Sequence, residues 1–247
     1  MDGIEALIFD VFGTTVDWRT TVEQELRDLG KKYSIASTNA DWAEFAQEWR
    51  TGYMNGTKRI AFGGQGTFNV DIMHREILDG MLASPRWSHL GQLWDEVERR
   101  NLNNVWHRLK GWPDTTEGLY ALKKQFIITS LSNGNVRLLV DMAKHANLPW
   151  DTIFSTELFN TFKPNPAAYL GTARHLSLPP EKCAMVASHF FDLEAAAKQG
   201  MKTIYISRLK EDGVFTDKVR SKEDGGEVDL VVSSFVELAE VLARGRK

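Results

Sequence analysis

Four short apolar runs in this chain each end in, or lead to, residues able to do chemistry. ALIFDV ends around Asp10. FIITSL ends in Ser130, with Ser132, Asn133 and Gly134 close behind. Lys163 follows the third run, within FKPNPAAY, and CAMVA is followed by Ser188, His189 and Asp192. A carboxylate can attack an electrophilic carbon and form an ester. A neighbouring lysine keeps that carboxylate ionised. Hydroxyl, amide and backbone N–H groups can bind a substrate carboxylate or a leaving anion. Each residue alone also has an ordinary structural use. Asp10 or Ser132 can cap a turn or helix, Lys163 can lie on the surface, and Asp192 can be an acid early in a helix. What singles the set out is that all four run ends carry such groups.

The elements that must position them read as a parallel sheet. The runs at 6–11, 126–131, 152–154, 183–187 and 203–207 are continuously apolar rather than alternating, as in strands buried on both faces, and 229–233 adds an edge. Helical segments separate the later runs, with Gly200 placed to cap one of them, so the pattern predicts a doubly wound α/β fold. In such folds ligands bind beyond the carboxyl ends of the strands. Residues from about 17 to 110 break the alternation and contain no convincing strand. Trp42, Phe45, Trp49 and Tyr53 recur at helical spacing, and six of the eight tryptophans lie between Trp18 and Trp106. A helical cap inserted after strand 1 is expected, with 17–109 as the cap and 1–16 plus 110–247 as the core. GGQGT (63–67) lacks the lysine and the preceding strand of a phosphate loop and reads as a turn between cap helices. The charged segment 208–228 reads as a solvated surface loop.

Composition narrows the function. The 247 residues carry a net charge of −3, with no basic excess to attract nucleic acid. No stretch of 18 consecutive apolar residues predicts a membrane span. MDGIEALIFD is acidic and lacks a long apolar run, so a signal peptide is not expected. The single cysteine, Cys183, lies in an apolar run and should be buried and inert; cysteine-rich metal sites are excluded, and a cytoplasmic setting is expected. His74, His89, His107, His145 and His175 have no metal-ligand spacing and read as structural.

The ordered motifs resemble the haloacid dehalogenase superfamily and, within it, the type II L-2-haloacid dehalogenases. FDVFGT resembles the first motif, implying Asp10 as nucleophile with Thr14 in support and the N–H groups of Val11 and Phe12 on the substrate carboxylate. SLSNGN resembles the second, implying that Ser132 binds that carboxylate and that Asn133 assists with the halide. FKPNPAAY resembles the third, with Lys163 beside the nucleophile and Tyr169 near the site. VASHFFD resembles the fourth, with Asp192 helping to activate water. Trp49–Arg50 resembles the cap segment whose arginine receives the halide. The resemblance covers essentially the whole chain. It implies displacement of halide from C2 of a 2-haloalkanoate by Asp10, then hydrolysis of the aspartyl ester to a 2-hydroxyacid of inverted configuration. It calls for no cofactor and no metal, with a small 2-haloacid and halide as partners, and it leaves room for a homodimer.

Phosphoryl-transferring members of the superfamily resemble one another in having a second aspartate two residues after the nucleophile, and an acid in the fourth motif that helps bind Mg²⁺. Here those positions are Phe12 and Ser188, and Ser188 is counted with the substrate-binding groups. Losing the acids suits carbon chemistry, because halide leaves without a proton and a bound divalent ion would blunt Asp10 as a nucleophile. The alternatives are a metal-independent opening of a strained ring acid such as an azetidine carboxylate, and a Mg²⁺-dependent phosphatase. The chain departs from the family pattern at Ala187 and His189, where serine and asparagine are expected. His189 is either a second base for the ester-hydrolysis water or a neutral hydrogen-bonding replacement for the amide. Phe190 and Phe191 are expected to shape the pocket.

Overall fold

The computed structural model describes residues 1, 3–35, 40–208, 211 and 219–245. The strands are β1 (Ala6–Phe9), β2 (Val16–Asp17), β3 (Lys110–Gly111), β4 (Ile127–Ser132), β5 (Thr152–Ser155), β6 (Cys183–Ala187), β7 (Lys202–Ile206) and β8 (Leu230–Val232). Six of them form one parallel sheet in the order β5-β4-β1-β6-β7-β8. β1 therefore lies at the point where the chain stops winding one way and starts winding the other, and its carboxyl end opens on the crevice where such sheets bind ligands.

The continuous apolar runs have the cause expected from the sequence. Leu7, Phe9, Ile128 and Val186 pack into one core cluster, while Ala6, Ile8, Leu131 and Met185 pack into a second. Neighbouring residues of one strand point to opposite faces, so a sheet covered on both sides favours apolar or small buried residues on both faces, Thr129 and Ser130 of β4 among them. Cys183 is fully buried in the second cluster, and burial raises its thiol pKa to about 11.

Five helices lie between β2 and β3: α1 (Trp18–Lys32), α2 (Trp42–Ala61), α3 (Val70–Ala83), α4 (Ser88–Gly91) and α5 (Glu96–Asn103), with a 3₁₀ turn at Asn104–Arg108. Aspartates start the long ones, Asp17 accepting from Thr20 N–H and Asp41 from Glu44 N–H. GGQGT falls in the connection between α2 and α3, as expected. The first core cluster runs on into these helices through Trp18, Phe45, Trp49 and Trp106. Trp49 Nε1 donates to the His74 carbonyl at 2.9 Å, and the His74 ring stacks on Trp106 with centroids 4.3 Å apart. Burial, with Arg50 nearby, holds His74 well below its ordinary pKa, so it serves as a neutral packing element. Val16 pairs with Gly111 and Asp17 with Lys110 in a two-stranded antiparallel ribbon that ties together the two ends of this helical stretch. That ribbon corrects the reading of 17–110 as free of strand: two-residue strands are too short to leave a period in the sequence.

The remaining helices are α6 (Thr115–Lys123), α7 (Val136–His145), α8 (Pro166–His175), α9 (Phe190–Ala197) and α10 (Phe235–Arg244). No described helix is long and apolar enough to cross a membrane.

Candidate active site

Asp10 follows β1 directly and is 6 % exposed. Its N–H continues the sheet by donating to the Val186 carbonyl at 3.0 Å, which fixes the carboxylate at the strand end. Thr14 Oγ1 donates to Asp10 Oδ2 at 2.7 Å, and Lys163 Nζ donates to Oδ1 at 2.8 Å. His189 Nδ1 stands 3.0 Å from Oδ2. Burial works to raise the Asp10 pKa, but Lys163 and His189 outweigh it and hold the carboxyl well below its usual range. The result is a buried, desolvated carboxylate that stays ionised, as a nucleophile toward carbon requires.

Lys163 precedes α8, whose first turn is set by Pro166 and by the Asn165 side chain accepting from Ala167 N–H. Its backbone N–H donates to Asn133 Oδ1 at 2.8 Å, which couples the β4 end to the lysine loop. The ammonium also donates to Asp192 Oδ2 at 2.5 Å. Burial opposes its charge, but the two carboxylates raise the Lys163 pKa above its ordinary value. Tyr169 donates to Asp192 Oδ1, so both Asp192 oxygens are engaged and the side chain is 1 % exposed. Burial, with Asp10 close by, raises the Asp192 pKa.

Thr14 is held in turn. The Ser188 N–H donates to its hydroxyl at 2.9 Å, and the two hydroxyls lie 2.9 Å apart. Ser132 Oγ accepts the Gly134 N–H at 3.2 Å at the end of β4. The N–H groups of Val11 and Phe12 make no hydrogen bond among the described residues, which leaves two donors at the nucleophile turn for an anion. The Phe12 ring is 3 % exposed and packs against Tyr53, Trp106 and Arg50, so an apolar surface occupies the place where an acid would move protons.

Arg50 comes from the middle of α2 and is 6 % exposed. Its guanidinium lies against the faces of Phe12, Trp18 and Tyr53, at 4.8–5.4 Å from their centroids. It forms no salt bridge among the described residues, and Nη1 has no hydrogen-bond partner there. A permanent buried cation with an unmet donor is a receptor for an anion.

Asp10, Phe12, Arg50, Asn133, Lys163 and His189 line one cavity of about 640 Å³, which continues past Met54, Phe62 and Phe191. Ser132, Ser188, Thr14, Tyr169 and Asp192 do not line it; they stand behind the groups that do. Phe191 borders the cavity, whereas Phe190 packs against the second core cluster. Among the described residues no cluster of three or more His, Cys, Asp or Glu side chains is arranged to hold a metal ion.

Two residues at the site come from the segment expected to be solvated. Arg208 is 5 % exposed; it donates to the Thr14 carbonyl at 3.0 Å and is gripped by Asp114 through both Nη atoms. The Glu211 side chain is 4 % exposed, 3.4 Å from His189 Nε2 and 3.1 Å from the donating Trp18 Nε1. Residues 209–210 and 212–218 of that segment lie outside the described part. The strand-end rule directs attention to the chain beyond β7 (Lys202–Ile206), which also ends at this crevice, but it does not single out Arg208 and Glu211 among the charges there.

Residues 4–200 match the family described as haloacid dehalogenase-like hydrolase, and the chain belongs to that family. Its solved relatives include the L-2-haloacid dehalogenase PA0810, 35 % identical with a TM-score of 0.82, the match covering 97 % of this chain and 100 % of that one. The defluorinating L-2-haloacid dehalogenase Rha0230 is 36 % identical, with a TM-score of 0.83 and coverage of 97 % and 95 %. Among curated proteins, (S)-2-haloacid dehalogenase 1 of Pseudomonas sp. (strain CBS-3) is 28 % identical over 214 residues, 85 % of this chain and 88 % of its own length.

Proposed function

We propose that this protein hydrolyses small 2-haloalkanoic acids to 2-hydroxyacids through an ester on Asp10. The observation that carries the reading is the pairing at one apolar-walled cavity of an ionised, buried carboxylate with a separate buried cation, Arg50, that forms no salt bridge among the described residues and has an unmet donor at Nη1. The first is what a nucleophile toward sp³ carbon needs, and the second is what a departing halide needs. The relatives named 2-haloacid dehalogenases support the same reading.

Substrate enters with its carboxylate toward the Val11 and Phe12 N–H groups, with Ser132 behind that end holding the turn through the Gly134 N–H. Oδ1 of Asp10, which has Lys163 as its single partner among the described residues, attacks C2 from the side opposite the halogen. Halide leaves toward Arg50 and Asn133. Back-side displacement inverts C2, and L substrates give D products. Water then attacks the Asp10 carboxyl carbon, expels the 2-hydroxyacid and restores the carboxylate. His189 and Lys163 flank that carboxyl, and Asp192 stands behind Lys163; of these His189 and Asp192 are the candidates to take the water's proton. Helices α1–α5 act as a cap whose aromatic wall excludes water until displacement is complete, which strengthens every charge contact inside. Phe12 supplies no proton, and a halide leaving group requires none.

The test is to incubate the protein with excess L-2-chloropropionate, without and with Mg²⁺, and to measure chloride and lactate. Equal amounts of chloride and D-lactate without metal are expected. No turnover without metal, together with cleavage of a phosphate ester when Mg²⁺ is added, would overturn the reading.

A further inference from the structure

His189 is held from both sides by carboxylates. Asp10 Oδ2 lies 3.0 Å from Nδ1, and Glu211 Oε2 lies 3.4 Å from Nε2. Glu211 reaches this place from the chain beyond β7 and is seated by two contacts. Trp18 Nε1 donates to the same Oε2 at 3.1 Å. Gly13, at φ +84°, presents bare backbone to it, and a Cβ there would fall 2.1 Å from Oε2. The other oxygen, Oε1, is buried with no hydrogen-bond partner among the described residues. A desolvated carboxylate tied to one face of an imidazole fixes which ring nitrogen keeps its hydrogen.

We propose, on the basis of the dehalogenase reading above, that Glu211 is a positioning residue for the second step. It keeps the Nε2–H of His189 turned toward itself, so that Nδ1 takes the proton of the water attacking esterified Asp10. Asp192 is poorly placed to take that proton, because Lys163 and Tyr169 occupy both of its oxygens and it does not line the cavity. His189 does line it.

The steps balance. In the free protein His189 carries protons on both nitrogens. Burial opposes that charge, but Asp10 and Glu211 raise its pKa to about 9. Displacement forms the Asp10–C2 bond and releases halide with the C2–halogen electron pair. The ester carries no charge, so His189 loses one of its two supports and gives the Nδ1 proton to solvent. Water then bonds to the Asp10 carboxyl carbon and passes one proton to Nδ1. The alkoxy oxygen leaves with the other proton as the 2-hydroxyacid, and the ion pair between His189 and Asp10 is restored. The sum is haloacid plus water giving hydroxyacid, halide and one proton. The charged groups bearing on the imidazole are Asp10 and Glu211; Lys163 stands against Asp10 with Asp192 behind it, and Arg50 from α2 acts on Glu211. Burial opposes the Glu211 charge, but His189 and Arg50 outweigh it and lower the Glu211 pKa.

The experiment is rapid quench of the full chain with excess L-2-chloropropionate, following chloride, lactate and the mass of the Asp10 peptide, in the wild type, Glu211→Gln and Glu211→Asp. Glu211→Gln should release about one equivalent of chloride per site in a burst. Lactate should then form more slowly by on the order of 10²-fold, the scale of general-base assistance, while the 1-carboxyethyl ester accumulates on Asp10. The acid limb of lactate formation should move to lower pH, because the imidazole has lost an anionic neighbour. Glu211→Asp keeps the charge and should recover part of the rate. Chloride and lactate slowing together without ester, both staying unchanged, or equal losses in the two variants would overturn the proposal. Absence of chloride from the wild type would remove the dehalogenase reading itself, and this inference with it.

Discussion

Lys163 is the residue on which the charge balance of the site turns, and Lys163→Met tests that directly. The ammonium stands 2.8 Å from Asp10 and 2.5 Å from Asp192, with all three side chains less than a tenth exposed. At an effective dielectric of about 20, each contact is worth about 6 kcal/mol before desolvation is charged against it. Methionine keeps the unbranched stem and removes the cation, which leaves two buried carboxylates facing each other. Breaking a buried pair in this way costs about 3–5 kcal/mol. The sign of the pH dependence follows from the pKa directions. In the wild type the Asp10 pKa is depressed, so its contribution is present above the unfolded value of about 3.9 and is lost only as pH falls toward the folded one. In the wild type the Asp192 pKa is already raised by burial, with Lys163 holding the rise back; removing the ammonium raises it further and takes away the main cause that depresses Asp10, so the carboxylates destabilise more as pH rises. The stability difference should therefore be smallest near pH 4 and largest at pH 7. The assay is urea unfolding of both proteins at pH 4.5, 6 and 7.5, with chloride release measured in parallel and expected to fall by about 10²–10³-fold. A loss below about 1 kcal/mol at pH 7.5, or one that does not vary with pH, would refute the reasoning.

Arg50→Lys replaces a planar cation spread over three aromatic faces by a compact one. It should lower kcat/KM for 2-haloacids by roughly 10- to 100-fold, or about 1.4–2.8 kcal/mol. Unchanged kinetics would take halide reception away from this residue. His107 joins α3 to α7, with Nε2 2.9 Å from Asp71 of α3 and Nδ1 3.0 Å from Asp141 of α7; Asp141 also pairs with Arg137. Burial opposes its charge, but the two aspartates raise its pKa. Its contribution is then full below the unfolded value of about 6.5 and is lost as pH rises through the folded one. His107→Gln should destabilise by less than about 1 kcal/mol after solvent screening, more at pH 5.5 than at pH 9. Thermal melts showing the same difference at both pH values would contradict this.

The sheet was legible because burial on both faces leaves no alternation of apolar and charged positions within a strand, so the runs at Ala6, Ile128 and Cys183 stand out without help from periodicity; the polar positions in β4, Thr129 and Ser130, are small and buried. The convergence of Asp10, Asn133, Lys163 and His189 was legible for a related reason: parallel strands all deliver their carboxyl ends to one edge. The two-residue ribbon at Val16–Asp17 and Lys110–Gly111 was not legible, since pairing that short depends on tertiary contact alone. The α10 helix lay beyond the last run read as strand. Arg208 and Glu211 were hidden for a different reason. They sit in the charged stretch RLKEDG, and burial by partners distant in sequence, Asp114 for one and Trp18 with His189 for the other, leaves no local mark. Phe12 was readable as the missing acid. Its packing against Arg50 adds that the same ring shields the cation it adjoins.

The central claim is that Asp10, and not water, makes the first bond to C2. A single turnover in ¹⁸O-water, with protein in excess over L-2-chloropropionate, tests it most directly. The lactate should carry the unlabelled Asp10 oxygen, and the label should appear in the Asp10 peptide. Labelled lactate with unlabelled Asp10 would mean that water attacks the substrate itself, and would contradict the account.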